Sequence, residues 1–160
     1  MKIERKFMAH FVNSAKGTEE AAYSRLGKDL EEYSVEMSAE VEKKKNILGE
    51  TSVNVTSYEK SGRVEPYYAE SGDPLFERLQ EIADGGLVLD ECKTDVVEVH
   101  LWEEATSGAY PAYREEAIFE ISSYGGDNTG YQIPFNLHYT GKREKGTFDI
   151  ASKTFTVSAQ

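Results

Sequence analysis

Acidic residues, a single cysteine and scattered histidines are the side chains in this sequence that could carry out chemistry. Their densest grouping is Asp90, Glu91 and Cys92, with His100 further along the chain. Zinc sites place thiolates and imidazoles at short, regular spacings, which this grouping lacks. The sequence also has no Gly-x-Ser-x-Gly nucleophile motif and no Walker phosphate loop. We therefore expect no enzyme, and no catalytic, cofactor-binding or metal-binding residues.

Two pairs of neighbouring acids, Glu103 with Glu104 and Glu115 with Glu116, suggest paired carboxylates for acid–base work. Adjacent residues of a strand point to opposite faces of a sheet, so neither pair can act on one substrate. The glycine-rich segment 125–130 is expected to join two strands, and it therefore lacks the helix N-terminus that phosphate-binding loops use. We interpret the acids as solubilising charges and the segment as a hairpin loop.

The composition indicates which classes of partner to expect. A chain of 160 residues usually forms one domain. Its 29 acidic and 18 basic residues give a net charge of -11, which disfavours stable DNA or RNA binding, because such binding gains affinity from Lys and Arg replacing phosphate counterions. Cys92 is the single cysteine and cannot form an intrachain disulfide. The apolar patches are too short for a signal peptide or a membrane span, so we expect a protein made in the cytoplasm without a membrane partner.

The longest run of two-residue alternation lies within residues 30–58 and predicts one long projecting hairpin. Its first strand has an apolar face of Tyr33, Val35, Met37, Ala39 and Val41, and a polar face of Ser34, Glu36, Ser38, Glu40 and Glu42. A basic turn, Lys43 to Asn46 with Gly49 beyond, leads to a second strand in which Val53 and Val55 alternate with polar residues.

The remaining chain predicts strands and one helix. Residues 1–25 lack steady periodicity and indicate a terminal arm or short edge strand, and Pro66 indicates another edge strand over 62–68. Asp73 as cap, Pro74 in the first turn and Gly85 with Gly86 at the end predict a helix over about 74–84. Its core face is expected to contain Leu75, Phe76, Leu79, Ile82 and Ala83.

Strand periodicity returns after residue 94. A central strand from about 94 to 102 is followed by strands over 112–124 and 131–139, a turn over 141–146 and a closing hairpin of 147–150 with 154–157. The predicted fold class is mainly β: an antiparallel β-sandwich or small barrel over residues 26–160, with one flanking α-helix, a long projecting hairpin and mobile terminal arms.

Several runs of the sequence carry a resemblance to a known family. They are LGKDL at 26–30, KKNILGET at 44–51, GDPLF at 72–76, GYQIPF at 130–135 and the segment 138–148. In number and order they resemble the major tail proteins, or tail tube proteins, of long-tailed bacteriophages that infect Gram-positive bacteria. The resemblance extends from about residue 26 to the end of the chain and is weakest around residues 17–22.

This resemblance implies a structural role. Members of that family form hexameric rings that stack into a tube, each subunit being a β-sandwich flanked by a helix, and DNA passes through the lumen. The implied partners are other copies of the chain, the tape measure, tail terminator and distal tail proteins, and DNA in transient, non-specific passage. The implied location is the virion tail, assembled in the host cytoplasm.

Two sets of residues acquire expected roles from the resemblance. Carboxylates that line the lumen would repel phosphates and let DNA slide, which makes the polar strand face the lumen candidate: Ser34, Glu36, Ser38, Glu40 and Glu42. A basic turn would meet acids of an adjacent ring, which makes the inter-ring candidates Lys43, Lys44, Lys45, Asn46, Ile47 and Leu48. The alternatives are a solvated strand face and an exposed turn that protects a strand end from aggregation.

Two other classes of function stay open. A carbohydrate-binding β-sandwich would stack sugars on aromatic side chains such as Tyr67, Tyr68, Trp102, Tyr110 and Tyr113, although aromatic residues in strands more often pack across the sheet. An intracellular enzyme would use the acids between residues 90 and 104.

Overall fold

The computed structural model describes residues 1–17 and 19–158. Over this range the protein is mainly β, with 50% of residues in strands and 12% in helix, and its main antiparallel sheet curls into a half-barrel. The fold class predicted from strand periodicity is therefore confirmed.

The strands and the helix follow in this order along the described chain. The elements are β1 Met8–Asn13, β2 Tyr23–Arg25, β3 Val35–Glu36, β4 Ala39–Lys45, β5 Thr51–Tyr58, β6 Ser61–Val64, α1 Pro74–Gly85, β7 Lys93–His100, β8 Ala109–Ile121, β9 Gly125–Asp127, β10 Gly130–Gln132, β11 Phe135–Asp149 and β12 Thr154–Val157. Within the described residues the main sheet has the order β2-β1-β7-β8-β11-β6-β3, with β12 added to β11. The pairs β4–β5 and β9–β10 form separate hairpins.

The main sheet is covered on both faces around β1, β7 and β8. On one face a core that includes Val12, Val96 and Phe119 packs against α1. On the other face Phe11, Val97 and further apolar residues form a second core with Ala9, Tyr23, Val99, Ala112 and Phe148. Coverage on both faces explains why β7 carries apolar residues at successive positions, and it confirms the prediction of a central strand there.

The helix forms where its capping residues predict. The Asp73 carboxylate accepts a hydrogen bond from the Leu75 backbone N–H at 3.0 Å, and Gly86 ends the helix in the left-handed conformation at φ 58°. One residue differs from the expected pattern: Arg78, which is not among the residues expected on the core face, is buried. Its guanidinium donates to three backbone carbonyls, those of Ala15 at 2.6 Å and of Glu91 and Lys93 at 2.9 Å. These bonds satisfy the charged group that burial removes from water.

The sequence predicts a terminal arm or a short edge strand over residues 1–25. β2 is a short strand at one edge of the main sheet, as the second alternative has it, whereas β1 is neither an arm nor an edge strand. β1 lies inside the main sheet, paired on one side with β2 and on the other with β7. Its residues from Ala9 to Val12 are all buried, His10 among them. A strand covered on both faces has no polar face, so it does not show the alternation that identifies a strand in a sequence.

Two further boundaries differ from the prediction. Residues 141–146 are not a turn, because β11 continues through them, and a register shift between Tyr139 and Arg143 absorbs the extra residues with Gly141 at φ 93°. The segment around Pro66 is not an edge strand. β6 ends at Val64 and lies between β11 and β3, and β3 forms the edge.

Candidate functional site: the exposed hairpin and the charged faces of the sheet

The hairpin β4–β5 is exposed along the whole length of both strands. All residues of both strands are exposed, and within the described chain they pair only with each other. The register places Ala39 opposite Tyr58, Val41 opposite Val55 and Lys43 opposite Val53. One face of the hairpin therefore carries an exposed apolar stripe of Val41, Val53, Val55 and Tyr58. A lone two-stranded hairpin is at best marginally stable in water, and exposed apolar stripes mark interaction surfaces.

The long strand predicted upstream of this hairpin is divided in two. Ser38 has φ 43°, a left-handed conformation that interrupts an extended strand, and it separates β3 from β4. The five lumen candidates are all exposed but do not form one continuous face. Ser34 and Glu36 lie at the edge of the main sheet, whereas Glu40 and Glu42 lie on the polar face of the hairpin. Their orientation toward a lumen stays a prediction.

Ser34 and Glu36 line an open cavity of about 480 Å³ at the β3–β6 edge. The other charged residues in its lining are Glu32, Arg63, Glu65 and His138, with Arg63 Nε donating to Glu65 at 2.5 Å. His138 Nε2 lies 2.5 Å from Glu120, and the hydrogen bonds from His138 and Asn136 lower the pKa of Glu120. Acids thus outnumber bases in this part of the surface.

The turn of the hairpin has a fixed shape that depends on Asn46. Its side-chain oxygen accepts the backbone N–H of Leu48 at 2.9 Å and of Glu50 at 3.0 Å, while its own N–H donates to the Glu50 carbonyl at 3.0 Å. Gly49 has φ 81°, a conformation that favours glycine. Ile47 is 103% exposed and Leu48 77% exposed at the end of this turn. Among the predicted inter-ring residues, Ile47 and Leu48 thus form an apolar tip that follows three lysines in the chain. The sequence did not indicate that Asn46 organises this turn.

A buried ionic network occupies the helix-side face of the sheet beyond the apolar core. Glu115 is 2% exposed, and its carboxylate accepts Lys60 Nζ at 2.5 Å and Arg143 Nη1 at 3.1 Å. Arg143 Nη2 also donates to Glu98 at 2.6 Å. Burial opposes ionisation of Glu98, but the hydrogen bond from Arg143 and the nearby positive charges outweigh it, so the pKa of Glu98 is lowered. A cavity of about 410 Å³ opens beside these side chains.

His10 lies next to this network and is 5% exposed. Neither ring nitrogen has a hydrogen-bond partner among the described residues, and Nε2 is 3.8 Å from Glu98 Oε1. The His10 and Tyr33 rings form a T-shaped pair at a centroid distance of 4.8 Å, and the Tyr33 hydroxyl lies 2.6 Å from that of Tyr139. Burial lowers the pKa of His10 to about 4. No pattern in the sequence indicates this network, because only the register across β1, β7, β8 and β11 brings its members together.

The residues considered for metal chemistry make other contacts. In the described ranges, no group of three or more His, Cys, Asp and Glu side chains is placed to hold a metal ion. The buried Cys92 thiol donates to the Leu87 carbonyl at 3.2 Å, and His100 Nδ1 lies 3.0 Å from Glu103. Burial raises the pKa of the Cys92 thiol. No helix among residues 1–17 and 19–158 has the length and apolar character needed to cross a membrane.

Three of the aromatic side chains considered for sugar stacking lie in two different neighbourhoods. Tyr67 packs against Phe135 with ring centroids 5.6 Å apart. Trp102 stacks on His100 at 4.3 Å, and Tyr113 contacts the same His100 ring at 5.4 Å.

No protein-family model matches the chain, and no curated protein matches it.

Proposed function

We propose that the protein is the structural subunit of a bacteriophage tail tube, which assembles as stacked hexameric rings around a lumen that conducts DNA to the host during ejection. The observation that carries this proposal is the hairpin β4–β5, which projects from the main sheet with an exposed apolar stripe. The resemblance of several sequence runs to tail tube proteins supports the same role.

A second copy of the chain is the partner that suits the hairpin. Packing the stripe of Val41, Val53, Val55 and Tyr58 against a neighbour removes apolar surface from water and stabilises a hairpin that is marginal alone. A hairpin that packs on a different surface of the next copy makes a heterologous contact. Contacts of this kind close into rings or continue as helical stacks.

Charge supports passage of DNA without retention. The net charge is -11, and Glu36, Glu40 and Glu42 are exposed. Carboxylates facing a lumen repel phosphates, the opposite of the counterion release that holds DNA on basic surfaces. The proposed partners are therefore other copies of the chain, the tape measure, tail terminator and distal tail proteins, and DNA in transit within the virion tail.

The test is negative-stain electron microscopy of the purified protein over a concentration series, together with sedimentation velocity. We expect rings or tubes of uniform width with a central channel. The variant V41K/V55K places charge in the apolar stripe and should stay monomeric, while S52K/N54K places the same charge on the opposite face of the hairpin and should assemble. A wild-type protein that stays monomeric at every concentration would contradict the proposal and favour the carbohydrate-binding sandwich.

A further inference from the structure

We infer that the hairpin tip of one copy docks into an apolar groove beside α1 of a neighbouring copy. The tip is the pair Ile47 and Leu48. The groove is lined by Ala83, Leu87, Val88, Leu89, Ile118 and Tyr124. This inference rests on the proposed function, and it specifies which surface receives the hairpin.

Most residues that line the groove are apolar. The groove has a volume of about 570 Å³ and lies between the end of α1, the short 3-10 turn Leu89–Cys92 and the end of β8. Val88, Leu89 and Tyr124 are large apolar side chains that are all more than half exposed. Contiguous exposed apolar surface of this kind marks a site of protein interaction.

Leu89 provides a second sign of a prepared surface. It is 82% exposed and has φ 57°, the left-handed region that residues other than glycine, asparagine and aspartate seldom adopt. Strained backbone conformations that persist in a folded protein cluster at binding sites. Here the strain holds a leucine at the surface of the groove.

The tip and the groove are complementary in apolar character and in charge. Asn46 fixes the turn, so Ile47 and Leu48 are presented together without a further ordering cost. Lys43, Lys44 and Lys45 precede the tip, and exposed acids border the groove: Asp84, Asp90, Glu91 and Glu120. Asp90 is already paired with Lys93 at 3.2 Å and Glu120 with His138 at 2.5 Å, which leaves Asp84 and Glu91 to attract the lysines of the tip. Such an arrangement steers the basic tip toward the acidic border.

The occupant of the groove is a second copy and not the same chain. Ile47 is 103% exposed, so the tip of a single copy is free of its own groove. The two surfaces lie on different elements, and their contact is heterologous, so every copy can both give a tip and receive one. Repetition of this contact builds an assembly without a further component.

Disulfide trapping tests this contact directly. Cys92 lines the groove, so it is first replaced in the C92A background. Proteins carrying L48C and L89C in that background are mixed, allowed to assemble and oxidised. We expect a disulfide-linked dimer of the two chains. The matched control pairs L48C with V157C, an exposed apolar position on β12 outside the groove, and should give no such dimer.

The outcomes separate the inference from the proposed function. Tubes that form while L48C and L89C cross-link no more than the control pair would overturn the docking contact and leave the tube role standing. Absence of both assembly and cross-linking would overturn the docking contact and the tube role together.

A charge exchange supplies a second measurement that needs no cysteine. K44E/K45E and D84K/D90K are each expected to lower the assembled fraction roughly tenfold, because each places like charges on both surfaces. Mixing the two variants should restore assembly, since the tip of each then meets a groove of opposite charge. Failure of the mixture to recover would overturn the proposed pairing.

Discussion

Arg143 donates to the buried carboxylate of Glu115 at 3.1 Å, directly beyond the register shift that interrupts the pairing of β8 with β11. The shift places Arg143 opposite Glu115 on the helix-side face, where it also bonds Glu98 at 2.6 Å. The irregularity in β11 therefore brings the Arg143 guanidinium to two acids of this face, Glu115 and Glu98. The guanidinium of Arg143 also lies over the ring of Tyr113, 4.3 Å from its centroid.

Replacing Arg143 by methionine should destabilise the fold. R143M leaves Glu115 buried with Lys60 as its remaining cation. Because the Arg143 side chain is 34% exposed and Lys60 stays in place, we expect a loss of about 1.5–3 kcal/mol, the range for hydrogen bonds to charged groups. Urea unfolding followed by circular dichroism measures the loss. The control K28Q removes the cation of an exposed pair with Glu70 and should leave the unfolding midpoint unchanged. Equal effects from the two variants would contradict a structural role for the network.

His10 should make stability depend on pH in a defined direction. Burial favours the neutral ring and outweighs the attraction of Glu98, while Arg5, Arg143 and His100 lower the pKa further, so it falls from 6.5 to about 4. The unfolded chain binds the proton first, so the stabilisation is complete above pH 6.5 and is lost as the pH falls toward 4. Its full size is about 3 kcal/mol, and about 2 kcal/mol should be lost by about pH 5.

The variant H10L isolates this contribution. Leucine does not titrate, so the free energy of unfolding of H10L should fall less than that of the wild type between about pH 7 and about pH 5. Urea titrations of both proteins at the two pH values give the difference. Equal losses in the two proteins would show that other groups cause the pH dependence.

Elements with local signals could be predicted from the sequence, whereas elements that depend on pairing between distant segments could not. Asp73 and Gly86 defined α1 because a cap acts within one helical turn. β1 was missed because it is buried on both faces, and the continuity of β11 was missed because Gly141 and Gly146 also suit a turn. The buried position of Arg78 depends on carbonyls from distant segments. The hairpin residues were found because exposed alternation stays visible in the sequence.

The lumen candidates predict an effect on DNA release. The variant E36K/E40K/E42K replaces repulsive groups by cations, and if these positions face the lumen, assembled tubes should retain short double-stranded DNA in a salt-dependent manner. Co-sedimentation of labelled DNA with tubes at low and high salt measures retention. The control E20K/E77K/E104K makes the same change of charge at exposed positions elsewhere and should retain less DNA. Equal retention by both variants would place the three candidates outside the lumen.

Gly62 should be intolerant of any side chain because Tyr33 packs against it. A Cβ atom at Gly62 would lie 2.2 Å from the Tyr33 hydroxyl and 2.6 Å from its ring carbon Cζ. β6 is held between β11 and β3, so Tyr33 must move out of its buried site and leave the Tyr139 hydroxyl. G62A should therefore lower the free energy of unfolding by about 1–3 kcal/mol, a typical cost of overpacking. The control G27A should leave the free energy of unfolding unchanged, because a Cβ at Gly27 meets no atom within 4 Å.

The coupling between Gly62 and Tyr33 can be measured with a double-mutant cycle. In a Y33L background the side chain that blocks a Cβ at Gly62 is smaller, so G62A should cost less there than in the wild type. Urea unfolding of the four proteins gives the interaction energy. A cost of G62A that is the same in both backgrounds would show that the backbone of β6, and not Tyr33, sets the requirement for glycine.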